Sequence, residues 1–210
     1  MLEHVPEWLG RALKGVRAGA GKLTVAQAGL AAGTPALRLG SPAFADGAAI
    51  PIRFTADGEG VSPPLIWGNV PPEAAALALI VEDADAPLPQ PLVHALVWGL
   101  PAENGGLGEG AIRPDGDGDA DGTDVGRNSF LREGWLPPDP PTGHGEHRYV
   151  FQLFALSAAA MGGETPGRAA MIKAIRGNVL AAGLLTGTYS RGQPAMVGPA
   201  AAVARAKLAR

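Results

Sequence analysis

Cysteine is absent from the 210 residues, which removes disulfide frameworks, thiolate nucleophiles and thiolate metal ligands together. A basic excess is missing as well. Seventeen Lys and Arg stand against twenty Asp and Glu, for a formal net charge of -3, so nothing favours the counterion release that drives nucleic-acid binding. No stretch approaches 18 uninterrupted apolar residues. The first residues also lack the charged start, apolar run and small-residue cleavage site of a secretory signal. These absences lead to the expectation of a soluble, cytoplasmic protein without integral membrane association. Glycine-rich phosphate loops of the Walker or Rossmann type do not occur, and no cofactor is expected. Aromatic residues make up only 5% of the chain, while 31 glycines and 20 prolines mark it as loop-rich. The length suits one domain with some terminal additions.

Residues 1–33 differ in texture from the rest. Leu2, Leu9, Val16 and Leu23 recur every seven positions, with Val5, Ala12 and Ala20 between them and Arg11, Lys14, Arg17 and Lys22 largely off the stripe. This spacing predicts an amphipathic helical extension. Gly10, Gly15, Gly19 and Gly21 weaken it, so it needs a surface to pack on. Its own domain or a second copy of the chain would serve, an anionic membrane surface less readily, and a homodimer is the expected assembly. From residue 34 to 192 the pattern changes to short β-type runs at Ala36–Leu39, Ala49–Phe54, Ala75–Val81, Val93–Leu100, Arg148–Leu156 and Leu184–Ser190. Turn chemistry separates them, which favours an antiparallel sandwich or barrel. One helix is predicted over Arg168–Ala182, ended by Gly183. Within this domain residues 105–126 read as an acidic Gly/Asp insertion. Asp117, Asp119, Asp121 and Gly122 resemble a calcium loop, but Asn128 stands where the bidentate glutamate belongs, so no metal is expected. Residues 193–210 read as an alanine-rich basic tail.

The chemistry concentrates at strand ends. Leu79-Ile80-Val81 runs into Glu82-Asp83-Ala84-Asp85 and is closed by Ala86-Pro87. Asp83 and Asp85 share a side if the chain stays extended. His94 lies in the run Leu92–Leu100, where alternation puts it on one face with Leu96 and Trp98. His147 follows the flexible Gly143–Glu146 stretch and opens the next strand with Arg148 and Tyr149. Convergence of these ends would assemble two carboxylates, two imidazoles, a phenol and a guanidinium. Zinc lacks a tight His-x-x-x-His pair. A serine nucleophile is contradicted by the prolines that follow Ser62. A pocket for a small anion remains. The alternative is a hydrolase-like enzyme using His94 or His147 as general acid/base on a phosphate- or carbonyl-bearing molecule.

Three blocks carry a resemblance to a known family: Asp57-Gly58 with Ser62-Pro63-Pro64-Leu65 and Trp67; Asp83 to Pro87 with His94; and Pro140-Pro141-Thr142-Gly143 with His147-Arg148-Tyr149. In their order and spacing the chain resembles the phosphatidylethanolamine-binding protein family, in its bacterial and archaeal Raf-kinase-inhibitor-like branch. The resemblance implies a mainly β fold of two antiparallel sheets with a few peripheral helices. It implies a binding protein, not an enzyme, whose pocket takes phosphate or a phospholipid head group and which regulates a kinase or protease partner. Carried over by position, the anion site comprises Asp83, Ala86, His94, Pro141, His147 and Tyr149, with Asp57, Asp85, Arg148 and Trp98 in support. Ala84, Ala95, Trp98, Trp135 and Pro137 depart from the family pattern and alter the pocket's shape. In this reading the aspartates hydrogen-bond the histidines and raise their pKa, and the protonated rings donate with Tyr149 to the anion. Arg148 faces away from it and pairs with Asp57 or Asp85.

Overall fold

In the computed structural model, which describes residues 7–115, 123–159 and 166–192, eight strands and three α-helices are formed among the described residues. They run α1 (Glu7–Ala12), α2 (Thr24–Gln27), β1 (Arg38–Gly40), β2 (Leu65–Gly68), β3 (Ala76–Asp83), β4 (Leu92–Leu100), β5 (Gly105–Leu107), β6 (Asp124–Val125), β7 (His147–Leu156), α3 (Arg168–Ile175) and β8 (Val179–Tyr189). Single 3-10 turns lie at Ala20–Lys22 and Ile52–Phe54. A five-stranded sheet has the order β6-β4-β3-β7-β8, and a three-stranded sheet the order β1-β2-β5. Every ladder within them is antiparallel. The fold is therefore mainly β, with two antiparallel sheets and few helices.

The central strand β3 is buried along its whole length. Leu77, Leu79 and Val81 pack with Phe151 and Leu153 against Leu65 and Trp67 of the smaller sheet. Ala78 and Ile80 face the other way, with Leu96, Phe154 and the Met171 and Ile175 side chains of α3. A sheet covered on both faces explains why this stretch is nearly continuously apolar. Each such large side chain removed from water contributes roughly 1.5–3 kcal/mol.

Several local expectations are corrected. The single N-terminal helix is instead α1, a 3-10 turn and α2, because the glycines between Gly15 and Gly21 interrupt it. These pieces pack on the chain's own β domain: Leu23 is buried beside Ala84 and Val150. The helix over Arg168–Ala182 stops at Ile175, since Gly177 at φ 75° breaks it, and Val179 onward pairs with β7. The predicted strand Ala49–Phe54 reduces to a bridge between Ala49 and Thr188 followed by the turn after Pro51. Strands β2, β5 and β6 were not foreseen, and two of them lie inside the 105–126 stretch read as an insertion. The rest of the candidate calcium register, residues 116–122, and the tail 193–210 lie outside the described residues.

Candidate ligand-binding site

Antiparallel pairing brings three strand ends to one edge. Asp83, last in β3, pairs with Leu92, first in β4, and with Tyr149 near the start of β7. A bulge lies where β4 passes this edge: Val81 opposes Ala95 while the next residue, Glu82, opposes Val93. The extra residue is His94. The bulge turns it off the face shared by Leu96 and Trp98 and toward Tyr149, with ring centroids 5.0 Å apart at 83°. Trp98 thus belongs to the cluster on the helix side of the sheet, not to the pocket, and strict alternation misplaced it.

The three acids of this edge diverge. Glu82 is fully buried on the helix side, where it accepts from the Thr24 backbone N–H at 2.7 Å, Gln152 Nε2 at 2.7 Å and Arg168 Nε at 2.5 Å. Asp83 Oδ1 accepts the Asp85 N–H at 2.8 Å, which ends the extended run. Asp83 and Asp85 therefore do not share a side. Asp85 is buried away from the cavity and receives Arg148 through Nε at 2.7 Å and Nη2 at 2.8 Å, the Arg148 backbone N–H at 2.9 Å, and Arg17 at 2.9 Å. Burial alone would push its carboxyl up, but the hydrogen bonds from Arg148 and Arg17 outweigh this and bring it to about 2. Of the two acids considered for Arg148, Asp85 is the partner.

Asp83 Oδ2 lies 2.7 Å from Nδ1 of His147, and His147 Nε2 lies 2.6 Å from Nδ1 of His144. His144 Nε2 in turn faces the carbonyls of Leu13 at 2.9 Å and Val16 at 3.2 Å. The hydrogen-bond inventory fixes the protons along this line. Carbonyls only accept, so His144 carries its proton on Nε2, and burial beside His147 keeps that ring from gaining a second. His144 Nδ1 therefore accepts from His147 Nε2–H. His147 Nδ1 and Asp83 Oδ2 close the line through one shared proton. Both His147 ring nitrogens are thus committed to protein partners, contrary to the expectation that His147 donates to an anion.

His94 has a different state. Its Nδ1 donates to the Leu136 carbonyl at 2.6 Å, and its Nε2 is buried with no protein partner. Burial lowers its pKa, outweighing the opposing pull of Asp83 and the Leu136 carbonyl, so the ring is neutral and Nε2 presents a bare lone pair. This works against the imidazolium expected at this position. Tyr149 is fully buried, its phenol raised well above the usual range by burial and by Asp83 and Asp139, and its hydroxyl has no protein partner.

These groups bound a cavity of about 260 Å³. Asp83, His94, Asp139 and His147 are its polar members; Ala86 and Pro141 line it as expected, and Tyr149 stands behind His94 without lining it. Asp139 is paired with Arg191, which also holds Asp57 through two 2.6 Å bonds, so Asp57 sits one guanidinium away from the cavity. Each lining carboxylate has a side-chain partner, His147 for Asp83 and Arg191 for Asp139. Among the described residues no group of three or more His, Asp or Glu is arranged to hold a metal ion. His144, Asp139, Leu9 and Leu13 were missed by sequence reasoning. The signal for His144 was its place three residues before His147, between Gly143 and Gly145, both of which have positive φ.

Comparisons with known proteins converge. A family profile described as phosphatidylethanolamine-binding protein matches residues 40–190. A UPF0098 protein of Methanothermobacter thermautotrophicus is 38% identical over 156 residues, spanning 74% of this chain and all of that one. The crystal structure of CT736 from Chlamydia trachomatis, described as a phosphatidylethanolamine-binding protein homolog, superposes with a TM-score of 0.66 at 34% identity, over 74% of this chain and 98% of that one. E. coli YbcL, described as a member of the mammalian PEBP family, gives 0.68 at 27% identity, over 73% and 98%.

Proposed function

The chain belongs to the phosphatidylethanolamine-binding protein family, and we propose that it is a binding protein whose cavity takes a small acid by a phosphate-like head group, together with one proton. The observation that carries this reading is His94 Nε2, buried, without a protein partner and on the cavity wall. A buried acceptor left unpaired costs about 1–3 kcal/mol, which a ligand hydroxyl recovers. The complement of a bare lone pair is an acid that keeps a proton, or an anion that brings one to the ring; the two descriptions have the same proton count. Asp83 and Asp139 do not face such a head group as free carboxylates, because His147 holds the one and Arg191 the other. The regulatory role toward a kinase or protease implied by the family would act through the same mouth, where Leu88 and Phe130 line the cavity and remain exposed.

Sulfate tests the reading cleanly, since it has no ionisation between pH 5 and 8. The groups facing His94 are Asp83, His147, Asp139 and the Tyr149 ring. Each sulfate bound requires one proton on His94, whose pKa is already lowered, so calorimetry is expected to show affinity falling up to about tenfold per pH unit as pH rises. The His94→Gln variant, which offers a permanent N–H donor, is expected to bind with little pH dependence. A flat profile for the unaltered protein would remove His94 from the head-group site.

A further inference from the structure

The cavity is larger and less polar than a bare anion needs. A cavity of about 260 Å³ holds many times the roughly 10–15 Å³ that one water needs, more than the five non-hydrogen atoms of inorganic phosphate fill. Apart from the four polar side chains already named, every lining residue is apolar. Two of these come from a part of the chain that precedes the family match: Leu9 and Leu13, one helical turn apart and joined by the Leu13 N–H to Leu9 carbonyl bond of 3.0 Å.

This wall is anchored in several ways. Gly10 packs so closely on Thr142 that a Cβ would lie 2.2 Å from its carbonyl oxygen. His144 holds the Leu13 and Val16 carbonyls. Arg17 reaches Asp85 and the Glu146 carbonyl, and the Ala18 and Gly19 N–H groups bond to the carbonyls of Ala86 and Ala84. No cation of the segment lines the cavity, and Arg11 pairs with Glu7 and Arg17 with Asp85. What the segment contributes to the ligand site is apolar surface.

Resting on the head-group reading above, we infer that the ligand is an amphiphilic acid, a phosphate-type head carrying a compact apolar group, and that Leu9 and Leu13 select for that group. The head lies at His94 and the apolar group against the N-terminal wall.

The test is calorimetry at pH 6 of inorganic phosphate and of methyl, ethyl, propyl, butyl and hexyl phosphate with the full chain. Affinity is expected to rise about three- to fourfold per methylene up to butyl and then level off. In the Leu9→Ser/Leu13→Ser protein this slope is expected to collapse, while Leu9→Met/Leu13→Met keeps it; the second pair guards against loss of folding as the cause. If phosphate binds but affinity is the same along the alkyl series, the inference is overturned and the head-group reading stands. If neither phosphate nor any ester binds, the head-group reading itself fails. A slope that persists in the double serine protein places the apolar group elsewhere and overturns the assignment to Leu9 and Leu13.

Discussion

At the scale of single residues, the contrast between Asp83 and Asp85 is the instructive one. Two positions apart, one faces a cavity through a histidine and the other is locked behind it by two arginines. The Asp85–Arg148 pair is structural, and Arg148→Met is expected to lower unfolding free energy in a denaturant titration. Removing one partner of a buried ion pair costs about 3–5 kcal/mol. Arg17 and the backbone N–H of residue 148 remain on Asp85 here, and the Arg148 side chain is 48% exposed, so about 1–2 kcal/mol is expected. Phosphate affinity is expected to move by less than about threefold. A stable variant that no longer binds would make Arg148 a ligand contact.

At the scale of elements, the N-terminal segment is held by a close approach that only glycine allows. Gly10→Ala would drive a methyl group into the Thr142 carbonyl and is expected to unseat α1 while the sheets stay intact. Trypsin cleavage at Arg11 and Lys14 should accelerate, with the main melting transition shifted by only about 2–4 °C, the equivalent of some 1 kcal/mol. Equal cleavage rates in both proteins would count against the docking. The elements that were legible in the sequence are those whose apolar runs are long and flanked by turn residues: β3, β4 and β7. The convergence of Asp83 with His147 was legible for the same reason, since both stand at the ends of such runs. Three things were hidden by chain-distant causes. The bulge that redirects His94 depends on pairing with β3. The strand character of Val179–Ala182 depends on β7, which overrides a helical pattern. The role of His144 depends on carbonyls contributed by a segment 128 to 131 positions away.

At the scale of the whole molecule, buried groups set how stability responds to acid. His94 and His144 both have pKa values lowered below 6.5 by burial. Between their lowered values and 6.5 the unfolded chain binds more protons than the folded one, so their contribution is present above pH 6.5 and is lost as pH falls below it. Asp85 has the depressed carboxylate's behaviour: its contribution is present above 3.8 and is lost as pH falls toward about 2. Melting temperature is therefore expected to hold near pH 7 to 8, decline below about 6.5 and drop again below about 4; saturating phosphate should offset the first decline, because it binds with the proton that His94 lacks. A melting temperature that rises from pH 7 to pH 5 without ligand would contradict the neutral, buried His94. The acidic end of β3 also bears on how the chain reaches this state. Glu82, Asp83 and Asp85 find their partners 58 to 86 positions away, on segments before and after them. Until those segments arrive, the stretch holds adjacent like charges with nothing to oppose them. Such non-local closure is slow, which makes this edge a late clasp in folding and not a nucleus: the cavity is completed only when segments from before and after it in the chain have met around it.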